Sequence, residues 1–305
     1  MVVGTIMQAL RVIGTCGGRL LSRNLHRGNA GAAPLLSSQQ KRHYAEPGNY
    51  IQVERDSVHE EIAIVKMNRR QANSMSKDFM TELNITLEKL ENNNSYRGVI
   101  LTSAKPGIFC AGLDINELYQ KSPDYSRTFF MTLQDLWLRL YGTDLATMAA
   151  IIGHAPAGGC LLALSCDYRI MAQGQFTIGL NEVFVGILVP FWLQELMAKV
   201  CSERDTEMGV QLGTLFTPEE ALKMGMVDEI APMDDVIPKA REQLVKWLEI
   251  PDHARVITKG MRRGALMDKL RARQEEDASF LTEFISRDSS QKIIGEYLQR
   301  LKNKK

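Results

Sequence analysis

Paired cysteines are missing from this sequence. Its five cysteines, Cys16, Cys110, Cys160, Cys166 and Cys201, are scattered, with no CxxC pair. Its histidines, His26, His43, His59, His154 and His253, show no HxxxH spacing. No metal site and no disulfide framework is therefore expected, and buried or incidental thiols are the plain reading. No window approaches the apolar length of a membrane span, so no membrane insertion is expected. There is no GxGxxG fingerprint and no Walker loop, since no Lys-Ser/Thr follows the glycine pair at Gly158-Gly159. An excess of positive charge is lacking too. The net charge is +1, and six of the cations (Arg11, Arg19, Arg23, Arg27, Lys41 and Arg42) lie in residues 1–45, which hold no Asp or Glu. The remaining chain carries 31 basic and 36 acidic residues, a balance of −5. That leaves no bulk electrostatic case for nucleic-acid binding.

The acid-free, Arg-bearing start reads as a mitochondrial transit peptide over residues 1–44, which implies the mitochondrial matrix. A secretory signal needs an unbroken apolar run, and Arg11 and Arg19 interrupt this one. Arg42-His43-Tyr44-Ala45 resembles a matrix-protease cleavage site. The other residues, 45% apolar and 24% charged over the whole chain, suffice for a sizeable core.

Short apolar runs at 62–67, 98–103 and 146–152 read as strands, and the first two are followed by helical spacing at 77–91 and 125–141. The first helix would bury Phe79, Met80, Leu83, Leu87 and Leu90. The alternation argues for an α/β domain with crossover connections. A Gly-rich turn at 153–159 leads into an apolar helix near Cys160. Beyond Gln175 the pattern is mostly helical. Thr217-Pro218-Glu219-Glu220 forms a capping box, with Gly225 as a stop. Residues 234–248, 252–264, 267–286 and 288–302 also read as helices. This second half either packs beside the sheet or reaches away from it.

Three segments carry chemistry. Phe109-Cys110-Ala111-Gly112-Leu113-Asp114 places a glycine where a ligand can approach the backbone. Ile152 to Cys160 runs a buried strand into a Gly-Gly pair at a helix start, where unpaired N–H groups suit a developing oxyanion. Leu180-Asn181-Glu182-Val183-Phe184 sets a carboxylate among apolar neighbours, where burial raises its pKa toward neutrality and fits it for proton transfer. Each segment alone has a plainer alternative: a loop glycine, a tight turn, a surface acid.

Taken in order, and with Cys166-Asp167-Tyr168-Arg169-Ile170 between the second and third, these segments resemble the crotonase (enoyl-CoA hydratase/isomerase) family over residues 50–300. The resemblance implies a spiral of ββα turns followed by a helical trimerisation region. Here that would be a core at 45–245, a C-terminal helical region at 246–305 and a homotrimer. It implies an acyl-CoA thioester substrate and no cofactor, coenzyme A being part of the substrate. It assigns the oxyanion hole to the backbone N–H groups of Leu113 and Gly158, and the thioester and pantetheine path to Ala111, Gly112, Leu113, Asp114 and Ile115. Hydratases of the family use two glutamates. The first position here is Leu161 and the second is Glu182. One carboxylate without its partner fits moving a double bond, by carrying a proton from C2 to C4, better than adding water. Phe184, Phe191 and Trp192 either wall the pocket or fill helix core. Asn181 could orient Glu182, and His154 and Asp167 read as structural. Hydration, thioester hydrolysis and a non-catalytic scaffold are the competing readings.

Overall fold

The computed structural model describes residues 49–303. The expected transit peptide, residues 1–44, lies outside the described residues. The chain runs β1 (Ile51–Arg55), β2 (Ile62–Met67), α1 (Lys77–Glu91), β3 (Gly98–Ser103), β4 (Gly107–Ile108), α2 (Pro123–Gly142), β5 (Ala146–Ile151), β6 (Gly153–Pro156), α3 (Gly158–Ser165), β7 (Tyr168–Ala172), β8 (Ile178–Gly179), α4 (Phe191–Ala198), α5 (Glu203–Leu212), α6 (Pro218–Lys223), β9 (Glu229–Ala231), α7 (Val236–Leu248), α8 (Asp252–Arg271), α9 (Gln274–Ile285) and α10 (Asp288–Asn303). Short 3₁₀ turns lie at Ile115–Glu117, Glu182–Val185 and Met233–Asp235.

Strands fall into two sheets. The larger has the order β1-β2-β3-β5-β7-β9, antiparallel only at β1. The smaller, β4-β6-β8, is parallel. The chain therefore repeats one unit three times, a strand in each sheet and then a helix: β3-β4-α2, β5-β6-α3 and β7-β8-α4. This is the α/β spiral of ββα turns that the resemblance implies.

Alternation along each strand explains the layers. Ala63, Val65, Met67, Val99, Leu101, Ala149 and Ile151 face one hydrophobic cluster, with α1, α2 and α3. Ile62, Ile64, Ile100, Met148 and Ala150 face the other, which α7 closes with Val236, Ala240, Leu244 and Leu248. With both faces covered, β3 and β5 are buried at every residue, as parallel strands between helix layers must be. Helix α1 buries the five residues expected of it and starts at Ser76, whose side chain caps Phe79 N. The capping box at Thr217 is present in both directions, and Gly225, at φ +84°, follows the end of α6.

The C-terminal helices pack back onto the sheet domain. Helix α8 touches α2 and α4, α9 touches α2, and α10 lies across the 3₁₀ turns at 115–117 and 182–185. One boundary differs from the sequence reading. Residues 252–271 form a single helix, α8, running through Gly260 and Gly264. Each glycine costs about 1 kcal/mol against alanine, and side-chain anchors on the same helix offset that. Lys259 and Arg263 reach Asp167, at 2.9 and 2.7 Å. Arg263 also donates to the Tyr141 carbonyl and covers the Tyr141 ring.

Asp167 is thus a buried anchor. It also accepts from the N–H and hydroxyl of Thr147, and its cationic partners hold its carboxyl below the usual range against the opposing effect of burial. Replacing Asp167 by Asn leaves two buried cations short of a counter-charge, and is expected to lower stability by about 3 kcal/mol. That sits at the low end of the range for such pairs, because Lys259 keeps the Leu145 carbonyl and Arg263 the Tyr141 carbonyl. Equilibrium urea unfolding at pH 7 measures the change.

Candidate active site

The first element of the site is the segment after β4. Asn73 holds its entry by donating to the Phe109 carbonyl and to Ser103 Oγ. Gly112 sits at φ +86°. A Cβ there would lie 2.9 Å from the Ala157 Cβ and 3.2 Å from Gly158 N, so only glycine permits this approach of the two backbones. Met75 then bridges the segment in parallel fashion. Its N–H donates to the Gly112 carbonyl (2.7 Å), and its carbonyl accepts from Asp114 N (3.1 Å). In a parallel bridge the residue between two bonded neighbours turns its own N–H the other way. Leu113 is that residue, and its N–H has no acceptor among the described residues.

Helix α3 supplies the second element. Its N-cap, Ala157, is held at φ +49°, ψ −119°, a conformation that an L-residue adopts only under strain. Its N–H donates to the Gly179 carbonyl at 2.7 Å. Gly158 follows as the first helical residue, where an N–H has no partner inside the helix and the helix dipole is positive. Gly159 lets the helix start seat directly on the preceding loop: a Cβ there would be 2.2 Å from the Cys110 carbonyl oxygen. Two unsatisfied main-chain donors, Leu113 N–H and Gly158 N–H, are therefore brought side by side by sequences 45 residues apart.

The third element is the turn after β8. Because β8 pairs with β6 (Pro156 with Gly179), the chain passes the start of α3 just before it reaches Glu182. Glu182 opens the 3₁₀ turn, which Gly186 closes at φ +70°. The carboxyl group is 5% exposed, and its Oε2 has no hydrogen-bond partner. Leu180, Val185 and Ile187 beside it are buried. Burial pushes its pKa up from 4.5 to about 7, opposed by a bond from its own backbone N–H and by no cation. The fold thus sets, near the free amides at the start of α3, a carboxylate without a cationic partner that can take and return a proton near neutral pH, among buried apolar side chains. Leu161 is also buried, in α3, and offers no second carboxylate.

The remaining expected residues sort as follows. Ala111 and Ile115 are half-buried on the same segment. Asp114 lies there too, but its carboxylate is turned to the protein, paired with Arg69 at 2.7 Å and accepting from Asn116 N. Asn181 makes no side-chain bond to the Glu182 turn, so the expectation that it orients the carboxylate is not met. His154 is structural, its Nδ1 accepting from Thr177 N. Trp192 is core, fully buried, with its indole N–H on Asp277 and its ring against Trp137. Phe184 is 66% exposed, and Phe191 lies under Lys269 and Arg273. Neither Phe184 nor Trp192 is a wall of a closed pocket. Sequence reasoning missed Arg69, Asn73 and Met75, which set the shape of the oxyanion segment. They stand in a polar loop, and only the fold brings that loop to residues 109–114.

The sequence pattern described as enoyl-CoA hydratase/isomerase matches residues 57–304. The enoyl-CoA delta isomerase 1, mitochondrial, of Rattus norvegicus is 52% identical over 245 residues, covering 80% of this chain and 85% of the relative. Its counterpart from Homo sapiens is 46% identical, covering 80% and 81%. The crystal structure of human mitochondrial delta3-delta2-enoyl-CoA isomerase superposes with a TM-score of 0.82 at 46% identity, covering 84% of this chain and 99% of that one. A short-chain-enoyl-CoA hydratase of Clostridium acetobutylicum is more distant, 30% identical over 187 residues.

Proposed function

The chain belongs to the enoyl-CoA hydratase/isomerase family, and from that premise we propose that it converts 3-cis- and 3-trans-enoyl-CoA to 2-trans-enoyl-CoA in the β-oxidation of unsaturated fatty acids. The observation that carries this reading is Glu182, a buried carboxylate with no cationic partner, on the turn that follows the start of α3 and its free main-chain donors, with Leu161 where a second glutamate would stand. Relatives named as isomerases at about half identity support the same choice.

The reaction follows from the site. The thioester oxygen accepts from Leu113 N–H and Gly158 N–H, with Ala111 to Ile115 lining the thioester arm. Glu182 takes a proton from C2. The negative charge spreads from the thioester oxygen to C4 as a dienolate, which the fixed donors stabilise without reorganising. The protonated Glu182 returns the proton to C4, and the double bond moves from C3–C4 to C2–C3. Atoms balance within the substrate: the proton taken from C2 is the one returned to C4, and the step consumes no water and no redox equivalent.

The relatives' mitochondrial names support a mitochondrial location, and the acid-free first 45 residues support the matrix. We also propose a homotrimer. Val183 and Phe184 lie exposed against Gly213 at the end of α5, beside exposed Leu212, an apolar patch suited to another copy.

The test is a panel of 3-cis- and 3-trans-enoyl-CoA thioesters of several lengths, with product identified by chromatography. The expected product is the 2-trans isomer. Rapid formation of 3-hydroxyacyl-CoA from the 2-trans thioester would make the protein a hydratase instead. A pH profile adds an independent check. Only ionised Glu182 can take the C2 proton, so kcat/KM is expected to fall tenfold per pH unit below about 7. A limb near 4.5 would mean that the acting carboxylate is exposed.

A further inference from the structure

Glu117 is a half-buried carboxylate near the hole that the reaction above leaves unused. It ends the 3₁₀ turn that begins two residues after Leu113. Three separately folded pieces meet on it. Its own turn continues the oxyanion segment, since Glu117 N donates to the Asp114 carbonyl. Its Oε2 accepts from Lys77 N at 2.7 Å. Lys77 is the first residue of α1, where a backbone N–H has no partner in the helix. The hydroxyl of Tyr125, in the first turn of α2, faces it closely enough to oppose the rise in its pKa.

The register explains what this does. Met75 grips the chain on both sides of Leu113, at Gly112 and at Asp114. Two residues further on, Lys77 grips Glu117. The three contacts form one short ladder, whose last rung is a side chain. Asp114 fastens the other side of the same segment to Arg69. A carboxylate is an expensive rung here. Burial pushes Glu117 above its ordinary pKa, Asp114 and Asp78 add repulsion, and the bond from Lys77 N and the Tyr125 hydroxyl oppose them. The ammonium groups of Lys77 and Lys121 lie over the Tyr125 ring rather than on Glu117.

We propose that Glu117 is a positioning residue of the oxyanion hole, holding the Leu113 N–H in line with the thioester oxygen by fastening the segment to the starts of α1 and α2. This rests on the reading of Leu113 as an oxyanion donor. A donor displaced by about 1 Å loses on the order of 10²-fold in rate, and Glu117 acts on Leu113 at four residues' remove, so a smaller loss follows.

The test compares Glu117→Ala and Glu117→Gln with the parent enzyme, using 3-enoyl-CoA turnover and the infrared carbonyl band of a bound ¹³C-labelled thioester. Glutamine keeps an acceptor for Lys77 N. Expected for Glu117→Ala are about a tenfold loss of kcat, a KM within about threefold, and a smaller red shift of the carbonyl band on binding. Glu117→Gln is expected within about threefold of the parent on every readout. A purely structural role would lower thermal stability and leave kcat and the band of the folded protein unchanged, which overturns the inference. Equal damage in both variants overturns it too. Should Glu117→Ala not fold, Tyr125→Phe repeats the test with α1 still capped: a few-fold loss of kcat at constant KM supports the inference, and no loss overturns it. If the parent enzyme shows no red shift, the hole itself is misassigned and this inference falls with it.

Discussion

Glu182→Gln lowers kcat for 3-enoyl-CoA by about 10³–10⁴-fold, at or near the limit of a coupled assay, while thioester binding stays near the parent level. The amide matches the carboxylate in size but cannot take the C2 proton, and general acid–base catalysis contributes on this scale. Leu161, in the other glutamate position, has no group that can substitute for it. The same change makes the protein more stable at alkaline pH. The native carboxyl titrates at about 7 against an ordinary 4.5. Below pH 4.5 both native and unfolded forms hold the proton, so ionisation has no effect on stability. Between 4.5 and 7 the unfolded chain releases its proton and the native one does not, so a penalty develops. Above 7 it is complete, about 3 kcal/mol at about 1.36 kcal/mol per pH unit. Glutamine never incurs it. Urea unfolding at pH 5 and pH 8.5 should therefore show the variant's advantage growing with pH. Retained turnover in Glu182→Gln, or an advantage that shrinks with rising pH, contradicts the assignment.

Gly112→Ala gives the second large effect. The new methyl group meets Ala157 Cβ at 2.9 Å and Gly158 N at 3.2 Å, and φ +86° is strained for alanine. Whichever backbone yields, the donors at 113 and 158 separate. Loss of one oxyanion donor costs on the order of 10²–10³ in kcat, and that is the expected fall, with a lesser change in KM. Gly107→Ala is the control. It sits at a similar φ, +84°, with nothing within 4 Å of its Cβ. It should lose about 1 kcal/mol of stability and keep its kcat. If both variants keep full activity, the thioester oxygen is bound elsewhere.

Long amphipathic and fully apolar segments were legible because their periodicity extends over many residues. Helix α1, strands β3 and β5, and the capping box of α6 follow directly from the sequence pattern. The smaller sheet was not. Residues 153–156 read as part of a turn and are β6, while β4 and β8 have two residues each, too few for any period to show. The break expected after residue 264 failed because Asp167, nearly a hundred residues earlier, holds α8 straight through its glycines. At the site, Glu182 was legible from its apolar neighbours and Gly158 from its place at a helix start. That the Leu113 N–H would be free could not be read. It depends on a one-residue bridge to Met75, on Asn73 and on Arg69, none of which leaves a local pattern.

The most direct measurement is a crystal structure of the enzyme with a non-isomerising 3-enoyl-CoA analogue bound. Expected is a carbonyl oxygen accepting from both Leu113 N and Gly158 N at about 3 Å, with one Glu182 oxygen within about 3–3.5 Å of C2 and in reach of C4 on the same face. A carbonyl held by other groups, or a Glu182 side chain turned away from both carbons, would contradict it.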